Sequence, residues 1–244
     1  MHPWTIAETM REIDRRLGCE RFTQHVVVNV AKIVRMQGDR ELSAAVAQCD
    51  IVNIDGAGVV FGGRLLGHTI PERVAGIDLF DQLLEYSESA KKSVFFLGAK
   101  PDVLEDAIGI IRSKYRRLNI AGYHHGYFWD DEEAIVERIR QSDADLLFVG
   151  ISSPLKEQFI NKWSEKLGVK FAMGVGGTFD VVAGRIRRAP SWMQKAGFEW
   201  LFRVFQEPRR MFMRYLLTNS IFAWMLFTEL TGRAVASVRS SWLR

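Results

Sequence analysis

The sequence predicts a Rossmann-like, doubly wound α/β fold with a mostly parallel sheet, followed by a helical, basic and amphipathic C-terminal appendage. Three observations favour this class: short apolar runs typical of buried strands, helical segments between most of them, and a last quarter rich in both arginine and large apolar residues. Apolar strands that alternate with helices indicate a parallel sheet covered on both faces. We therefore expect an α/β domain over residues 1–190 and the appendage over residues 191–244.

The apolar runs are five or six residues long, which suits strands buried on both faces. They cover His25–Val30, Asp50–Ile54, Ser93–Leu97, Asn119–Tyr123, Asp145–Val149 and Val169–Met173. Helical periodicity covers Met36–Gln48, Pro101–Tyr115, Asp130–Gln141 and Pro154–Leu167, and the first twenty or so residues indicate an amphipathic helix or arm. Ligands of such folds bind beyond the carboxyl ends of the strands, so functional residues are expected there.

Composition excludes several classes of protein. With 48% hydrophobic and 25% charged residues, the 244-residue chain is neither disordered nor fibrous. Cys19 and Cys49 are its only cysteines, too few for a disulfide framework or a four-cysteine zinc site, so a reducing compartment is expected. The N-terminal sequence lacks the apolar run of a secretory signal.

The charge is unevenly distributed along the chain. Of the net charge of +4, residues 184–244 contribute eleven Lys/Arg against three Asp/Glu, which leaves residues 1–183 mildly acidic. This quarter should bind an anionic partner, and its large apolar residues favour a membrane surface. Two helices are expected, Trp192–Phe205 and Pro208–Leu230. The second is too short and polar to span a bilayer and is interpreted as interfacial; the alternative is that its apolar face packs on the α/β domain.

Asp55 follows the second apolar run and is itself followed by Gly56 and Gly58. A carboxylate at a strand end, beside backbone that can admit a ligand, is a candidate general base. The alternative is a helix N-cap, a frequent position for aspartate.

A glycine-rich segment with Gly174, Gly176 and Gly177 follows the run that ends at Met173. It matches neither the G-x-G-x-x-G dinucleotide fingerprint nor a Walker A loop. Its backbone N–H groups could still approach a phosphate, so a diphosphate ligand is expected. Asp180 either binds the nucleotide or orients its own turn.

Two cations are expected near the same strand ends. Lys156 falls in the first turn of a predicted helix, where a cation opposes the helix dipole, which favours a role in ligand binding over simple solvation. Arg73 precedes another helix and is either a ligand contact or a surface residue. The adjacent His124 and His125 lack the spacing of a metal site, so neither a metal nor a cofactor is expected.

Seven motifs follow one another along roughly residues 10–230: the strand ending in Asn29, IDGAGVV, ERVAGIDL, HHGYF, VGISSPLKE, GVGGTFDVVAGRIRRAP and EWLFRVFQEPRRMFMRYL. In this order they resemble the WecG/TagA/CpsF family of glycosyltransferases. The resemblance implies an inverting, metal-independent transfer of a hexose (N-acetylmannosamine-type, uronate or glucose) from a UDP-sugar to a polyprenyl-diphosphate-linked saccharide. It also implies a role in surface polysaccharide or exopolysaccharide synthesis, by a peripheral protein at the cytoplasmic face of the plasma membrane.

The resemblance also implies roles for individual residues. Asp55 matches the catalytic base and Asn29 the polar residue beside it. Arg73 matches an arginine that contacts the donor diphosphate, while Tyr127 and Asp180 match positions associated with the nucleotide. The chain departs from the family pattern at Val27, where threonine is common, and at Lys156, where glutamine is common, so the donor sugar is left open.

Without a metal, cations and backbone N–H groups must stabilise the leaving UDP. The expected donors are Arg73, Lys156 and the Gly176–Gly177 turn. The tail arginines contact either the acceptor diphosphate or only lipid headgroups: Arg203, Arg209, Arg210 and Arg214.

Two other functions are consistent with parts of the sequence. The basic quarter could bind nucleic acid, although no nucleic-acid motif accompanies it. The α/β pattern could belong to a Rossmann-type oxidoreductase or sugar-nucleotide epimerase, although the dinucleotide fingerprint is absent. We expect the glycosyltransferase, with no nucleic acid as partner; homo-oligomer formation is left open.

Overall fold

The computed structural model describes residues 1–19 and 21–241, without the side chains of Lys195, Arg210 and 233–241. Six strands form one sheet in the order β2-β1-β6-β5-β3-β4, and every neighbouring pair is parallel. The strands are β1 Thr23–Val28, β2 Ile51–Ile54, β3 Ser93–Gly98, β4 Asn119–His124, β5 Leu146–Gly150 and β6 Phe171–Gly174. The predicted fold class is confirmed.

In the described chain, one α-helix precedes the first strand and eleven connect or follow the strands. They are α1 Ile6–Leu17, α2 Val30–Gly38, α3 Arg40–Ala47, α4 Ala57–Leu65, α5 Gly76–Ser89, α6 Pro101–Lys114, α7 Glu132–Gln141, α8 Leu155–Trp163, α9 Thr178–Val182, α10 Ser191–Lys195, α11 Glu199–Gln206 and α12 Pro208–Ser241. A 3-10 turn, Trp129–Asp131, precedes α7.

Both faces of the sheet are covered because successive strand residues point to opposite sides. In β3, Val94 and Phe96 belong to a core with α5 and α6, whereas Phe95 and Leu97 belong to a core with α7 and α8. The apolar runs therefore lack polar alternation, as expected of a doubly wound sheet.

Three predicted helix boundaries were wrong. The helix expected over Met36–Gln48 is two helices, because Asp39 ends α2 and accepts a hydrogen bond from the Leu42 N–H as the N-cap of α3. Trp192–Phe205 is also divided, since Gly197 has φ +79° and lies so close to Ala57 that a Cβ at this glycine would be 2.8 Å from the Ala57 Cβ. Finally, α12 continues beyond Leu230 to Ser241.

A buried hydrogen-bonded group joins the strands that carry Asn29 and Asp55 at their ends. His25 lies on β1 and its Nε2 is 2.8 Å from Asn53 Oδ1 on β2, while Asn53 Nδ2 donates to Thr9 Oγ1 of α1 at 2.9 Å. Burial lowers the pKa of His25 to about 4, which the hydrogen bond to Asn53 only partly opposes. The folded protein therefore keeps this imidazole neutral.

We expect the free energy of unfolding to fall as pH decreases from 6.5 to 4. In this window the unfolded chain binds a proton at His25 and the folded chain does not, so the loss reaches about 3 kcal/mol. Urea unfolding at several pH values measures it. His25→Gln should remove this part of the pH slope, whereas exposed His68→Gln should keep it; equal slopes in all three proteins would contradict the assignment.

Candidate active site at the carboxyl edge of the sheet

Four neighbouring strands bring most of the predicted site residues to one edge. Asn29 directly follows β1 and Asp55 directly follows β2, while the glycine turn follows β6 and Lys156 follows β5. These strands are adjacent in the order β2-β1-β6-β5, and the carboxyl ends of parallel strands share an edge. The topology therefore gathers residues that are more than 100 positions apart in the sequence.

Asp55 is a partly enclosed carboxylate beside an arginine. Its side chain is 24% exposed, and Oδ1 lies 3.8 Å from Arg73 Nη1. Burial raises the pKa of Asp55, the positive charge of Arg73 opposes this shift, and the negative charge of Glu199 adds to it. Asp55 is not the N-cap of α4, because Gly56 holds that position with φ +90°. The carboxylate is thus available to accept a proton.

Asn29 lies beside Asp55. Val28 pairs with Ile54 at the ends of β1 and β2, and the Asp55 N–H donates to the Val28 carbonyl at 2.9 Å. Asn29 is the N-cap of α2, and its Oδ1 accepts a hydrogen bond from the Lys32 N–H at 3.0 Å. Its side-chain NH₂ group donates to no group in the described part of the chain, so it can still contact a ligand.

Lys156 is buried in the first turn of α8 as part of a charged triad. Its Nζ lies 3.4 Å from Glu157 Oε1, which also accepts a hydrogen bond from Lys32 Nζ at 2.7 Å. Burial lowers the pKa of Lys156 to about 8; Glu157 opposes this shift, while Lys32 and Arg214 add to it. Because Lys156 shares its one carboxylate oxygen with Lys32, its buried positive charge is only partly compensated, and it can bind an anion.

The glycine turn after β6 borders this lysine. A Cβ at Gly174 would lie 2.7 Å from Lys156 Cδ, and one at Gly176 would lie 3.8 Å from Lys156 Nζ. Gly176 has φ +55°, the left-handed region that glycine tolerates. The N–H groups of Gly176 and Gly177 donate to nothing among the residues with described positions, so two unpaired N–H groups lie near the lysine ammonium group. This arrangement can hold a phosphate.

The tail folds over the same edge. Glu199, at the start of α11, accepts a hydrogen bond from Arg73 Nη1 at 2.8 Å. Tyr215 of α12 is half-buried within electrostatic reach of both Glu199 and Asp55. Further along α12, Leu226 lies 3.0 Å from a Cβ placed at Gly62 of α4. Helices α11 and α12 therefore complete the surroundings of Asp55.

A family model for the glycosyl transferase WecG/TagA/CpsF family matches residues 1–235. The chain belongs to this family. The match covers the sheet, the strand-end residues and most of α12, and so includes every group described above.

Curated relatives agree with the family match. The chain is 33% identical to an N-acetylglucosaminyldiphosphoundecaprenol N-acetyl-beta-D-mannosaminyltransferase of Bacillus subtilis (strain 168), over 81% of this chain and 75% of that protein. It is 37% identical to a protein of the same name from Bacillus spizizenii (strain ATCC 23059 / NRRL B-14472 / W23), over 72% of this chain and 67% of that one. The chain is accordingly a glycosyltransferase, which decides against the nucleic-acid-binding and oxidoreductase alternatives.

Two predicted nucleotide residues lie away from Asp55. Tyr127 follows β4, and β4 and β2 are the two outermost strands of the sheet. Five strand spacings of about 4.8 Å separate these two strands by about 24 Å. The Tyr127 side chain is exposed. Asp180 lies nearer, in α9, with Oδ2 3.8 Å from a Cβ placed at Gly177, and its carbonyl accepts hydrogen bonds from the N–H groups of Arg185 and Ile186. A nucleotide role for either residue stays a prediction.

The predicted tail arginines fall into three groups. Arg203 and Arg214 are exposed but lie within electrostatic reach of the site, Arg203 at Asp55 and Arg214 at Lys156. Arg209 is exposed near the start of α12, and no described contact joins it to the site. The side chain of Arg210 lies outside the described residues. A role of these four arginines in binding the acceptor or lipid headgroups stays a prediction.

Several charged residues of the candidate active site were not predicted from the sequence. Glu199 holds Arg73, and Arg188 forms a two-point ion pair with Asp78, with N···O distances of 2.5 and 2.8 Å. Glu157 and Lys32 form the buried pair beneath Lys156. Of the five missed residues, Glu199, Arg188, Asp78 and Glu157 lie inside the quoted motifs EWLF, GRIRRAP, ERVAGIDL and SSPLKE, so the charges within these motifs were the available signal. No motif contains Lys32.

Two further observations concern metals and membranes. Among the described residues, no three or more His, Cys, Asp or Glu side chains are grouped so as to hold a metal ion. Within the same residues, no helix combines the length and the apolar content needed to cross a bilayer.

Proposed function

We propose that this glycosyltransferase moves a hexose from a UDP-sugar to a polyprenyl-diphosphate-linked saccharide, with inversion at the anomeric carbon. The observation that carries the proposal is the partly exposed Asp55 carboxylate, with its raised pKa, 3.8 Å from Arg73 at the edge where a lysine and a glycine turn converge. The names of the two relatives, which specify a diphosphoundecaprenol-linked acceptor, support the acceptor class.

In the proposed reaction, Asp55 takes the proton of the acceptor hydroxyl. The hydroxyl oxygen forms a bond to the anomeric carbon while the bond from that carbon to the UDP oxygen breaks, and UDP leaves with the electron pair. A single displacement of this kind inverts the anomeric configuration. Burial helps because a carboxylate with a raised pKa is a stronger base. Asn29 then supplies an NH₂ group beside the reacting hydroxyl.

The departing UDP requires positive charge. Arg73 uses only Nη1 for Glu199, so its Nε and Nη2 donors remain for the diphosphate. Lys156 and the free N–H groups of Gly176 and Gly177 supply further donors. Because these groups belong to the chain, we propose that leaving-group stabilisation needs no metal ion.

The tail is proposed to dock on the cytoplasmic face of the plasma membrane as a peripheral element. Helix α12 has two apolar sides. Phe222 and Leu226 pack towards Gly62 of α4, whereas the opposite side exposes large apolar residues: Met213, Leu216, Leu217, Trp224 and Phe227. The exposed Arg209 at the start of this stripe suits anionic headgroups. Docking would bring Asp55 to a lipid-linked acceptor.

The donor sugar is proposed to be an N-acetylmannosamine-type hexose, a uronate or glucose. The names of the relatives specify N-acetylmannosamine. Val27 and Lys156 are the two departures from the family pattern. Val27 lies next to Gly76, since a Cβ placed at this glycine would be 3.5 Å from Val27 Cγ2. The Val27 carbonyl accepts a hydrogen bond from Lys32 Nζ. Val27 and Lys156 therefore both lie beside the buried Lys32–Glu157 pair, and Lys32 belongs to the helix that Asn29 caps.

The test is transfer in vitro. We expect purified protein, incubated with a panel of UDP-hexoses and a polyprenyl-diphosphate-linked N-acetylglucosamine, to release UDP only when acceptor is present. Mass spectrometry should show one added hexose, and NMR the inverted anomeric configuration. Activity should persist in EDTA. Failure across the panel would contradict the proposal, retention of configuration would contradict single displacement, and loss of activity in EDTA would contradict metal independence.

A further inference from the structure

We propose that Glu157 and Lys32 are positioning residues that hold the Lys156 ammonium group at the Gly176 turn, where it meets the diphosphate of the donor. The inference rests on the proposed function, since the anion is the donor's. It concerns two residues that take no part in the steps described above.

The triad is built from two helices beneath the glycine turn. Lys32 lies on α2 and its Nζ donates both to the Val27 carbonyl at 2.9 Å and to Glu157 Oε1 at 2.7 Å. The same Glu157 oxygen lies 3.4 Å from Lys156 Nζ. All three side chains are at most 10% exposed. One carboxylate oxygen thus joins two ammonium groups.

Glu157 cannot contact a substrate directly in this arrangement. Its second oxygen, Oε2, is buried and has no hydrogen-bond partner among the described residues. Burial alone would raise the pKa of Glu157, but Lys156 and Lys32 hold it below its ordinary value, so the carboxylate is ionised. Glu157 therefore acts on a bound anion only through its lysines.

The charges of the triad do not cancel. Two ammonium groups and one carboxylate leave a net charge of +1 in a buried place, and such a charge is costly without a counter-ion. Lys32 has two close acceptors, whereas Lys156 has one at 3.4 Å and faces Gly176. The uncompensated charge is therefore located at Lys156, on the side where the diphosphate is expected.

Three charged residues near Lys156 shift its pKa. Glu157 favours the ammonium form, whereas Lys32 and Arg214 of α12 disfavour it. Cys49, which interacts electrostatically with Lys32 and Glu157, has a pKa raised by burial to about 12 and stays neutral between pH 7 and 9.5. Since the pKa of Lys156 is about 8, the group is charged at neutral pH and loses its charge as pH rises through 8.

UDP binding as a function of pH tests the proposal without needing turnover. Between pH 7 and 9.5, calorimetry should show the dissociation constant rising up to tenfold per pH unit once Lys156 deprotonates. Glu157→Gln should start this rise at lower pH, weakening UDP binding several-fold at pH 7.5. Lys32→Met should start it at higher pH, because a like charge is removed. Lys156→Gln should bind weakly with no such rise.

The opposite directions of the two shifts identify a positioning role, because a merely structural defect weakens binding without moving the pH at which it changes. Lys162→Met is the matched control: this exposed lysine of α8 pairs with Glu132 at 2.7 Å and should leave the curve unchanged. Shifts in the same direction, or none, overturn the inference. If Glu157→Gln fails to fold, an unmoved Lys32→Met curve overturns it. Wild-type protein that does not bind UDP would instead contradict the proposed function.

Discussion

Replacement of Asp55 by asparagine is expected to lower kcat by about 10²–10⁴-fold while the protein still folds and binds UDP. The amide has nearly the shape of the carboxylate but cannot take the acceptor proton. Donor affinity should change little, because the diphosphate donors are Arg73, Lys156 and the glycine turn. Turnover is measured as acceptor-dependent UDP release, folding by circular dichroism, and UDP affinity by calorimetry.

Asp102→Asn is a suitable control for this experiment. Asp102 is an exposed carboxylate on α6 that pairs with Arg185 at 3.4 Å. It has no role in the proposed reaction, so its loss should leave kcat unchanged. A folded Asp55→Asn protein with kcat within about threefold of wild type would show that another group takes the proton.

Much of this site could be predicted because its chemistry lies directly after apolar strands. Asn29 and Asp55 each follow a run of buried residues, and parallel strands place such residues at one edge. The strand order itself could not be read from the sequence. Because of this order, the carboxyl ends of β1, β2, β5 and β6 are neighbours, whereas Tyr127 follows β4, the outermost strand on the side away from β2 and Asp55.

Long-range charge pairs could not be predicted for a different reason. Arg73 and Glu199 are 126 positions apart, and Lys32 and Glu157 are 125 positions apart. Nothing local in the sequence distinguishes these side chains from solvated ones, since burial is decided by how α2, α8 and the tail helices pack. The sequence did indicate that the tail is basic and apolar, but not that its first acidic residue would reach the arginine beside Asp55.

The tail also shows why the two sequence interpretations of its apolar residues were not exclusive. One side of α12 packs on the α/β domain, with Phe222 3.1 Å from a Cβ placed at Gly62, while Trp224 and Phe227 on the other side stay exposed. A helix that is apolar on two sides has little amphipathic periodicity. Sequence periodicity therefore could not assign one face to the protein core and the other to a second partner.

Arg73 and Glu199 should affect Asp55 in opposite directions, which gives the last prediction. Arg73 favours the ionised form of Asp55 and Glu199 disfavours it. In Arg73→Gln, the acid limb of kcat/KM should move to higher pH, because Asp55 then ionises later. In Glu199→Gln it should move to lower pH. Arg73→Gln should also weaken UDP binding about 10–100-fold, the loss of charge-assisted hydrogen bonds worth about 1.5–3 kcal/mol.

Profiles of kcat/KM from pH 5 to 8 measure both shifts. Arg140 is an exposed arginine of α7 paired with Glu137 at 2.6 Å, and the control substitution Arg140→Gln should leave the profile unchanged. Because kcat/KM reports groups of the free enzyme, the acid limb belongs to Asp55 before substrate binds. Equal displacement in the same direction would mean that the limb reports another group. Opposite displacement would locate Asp55, Arg73 and the tail's Glu199 in one electrostatic unit, so that docking of α11 helps to determine the basicity of the residue proposed to accept the proton.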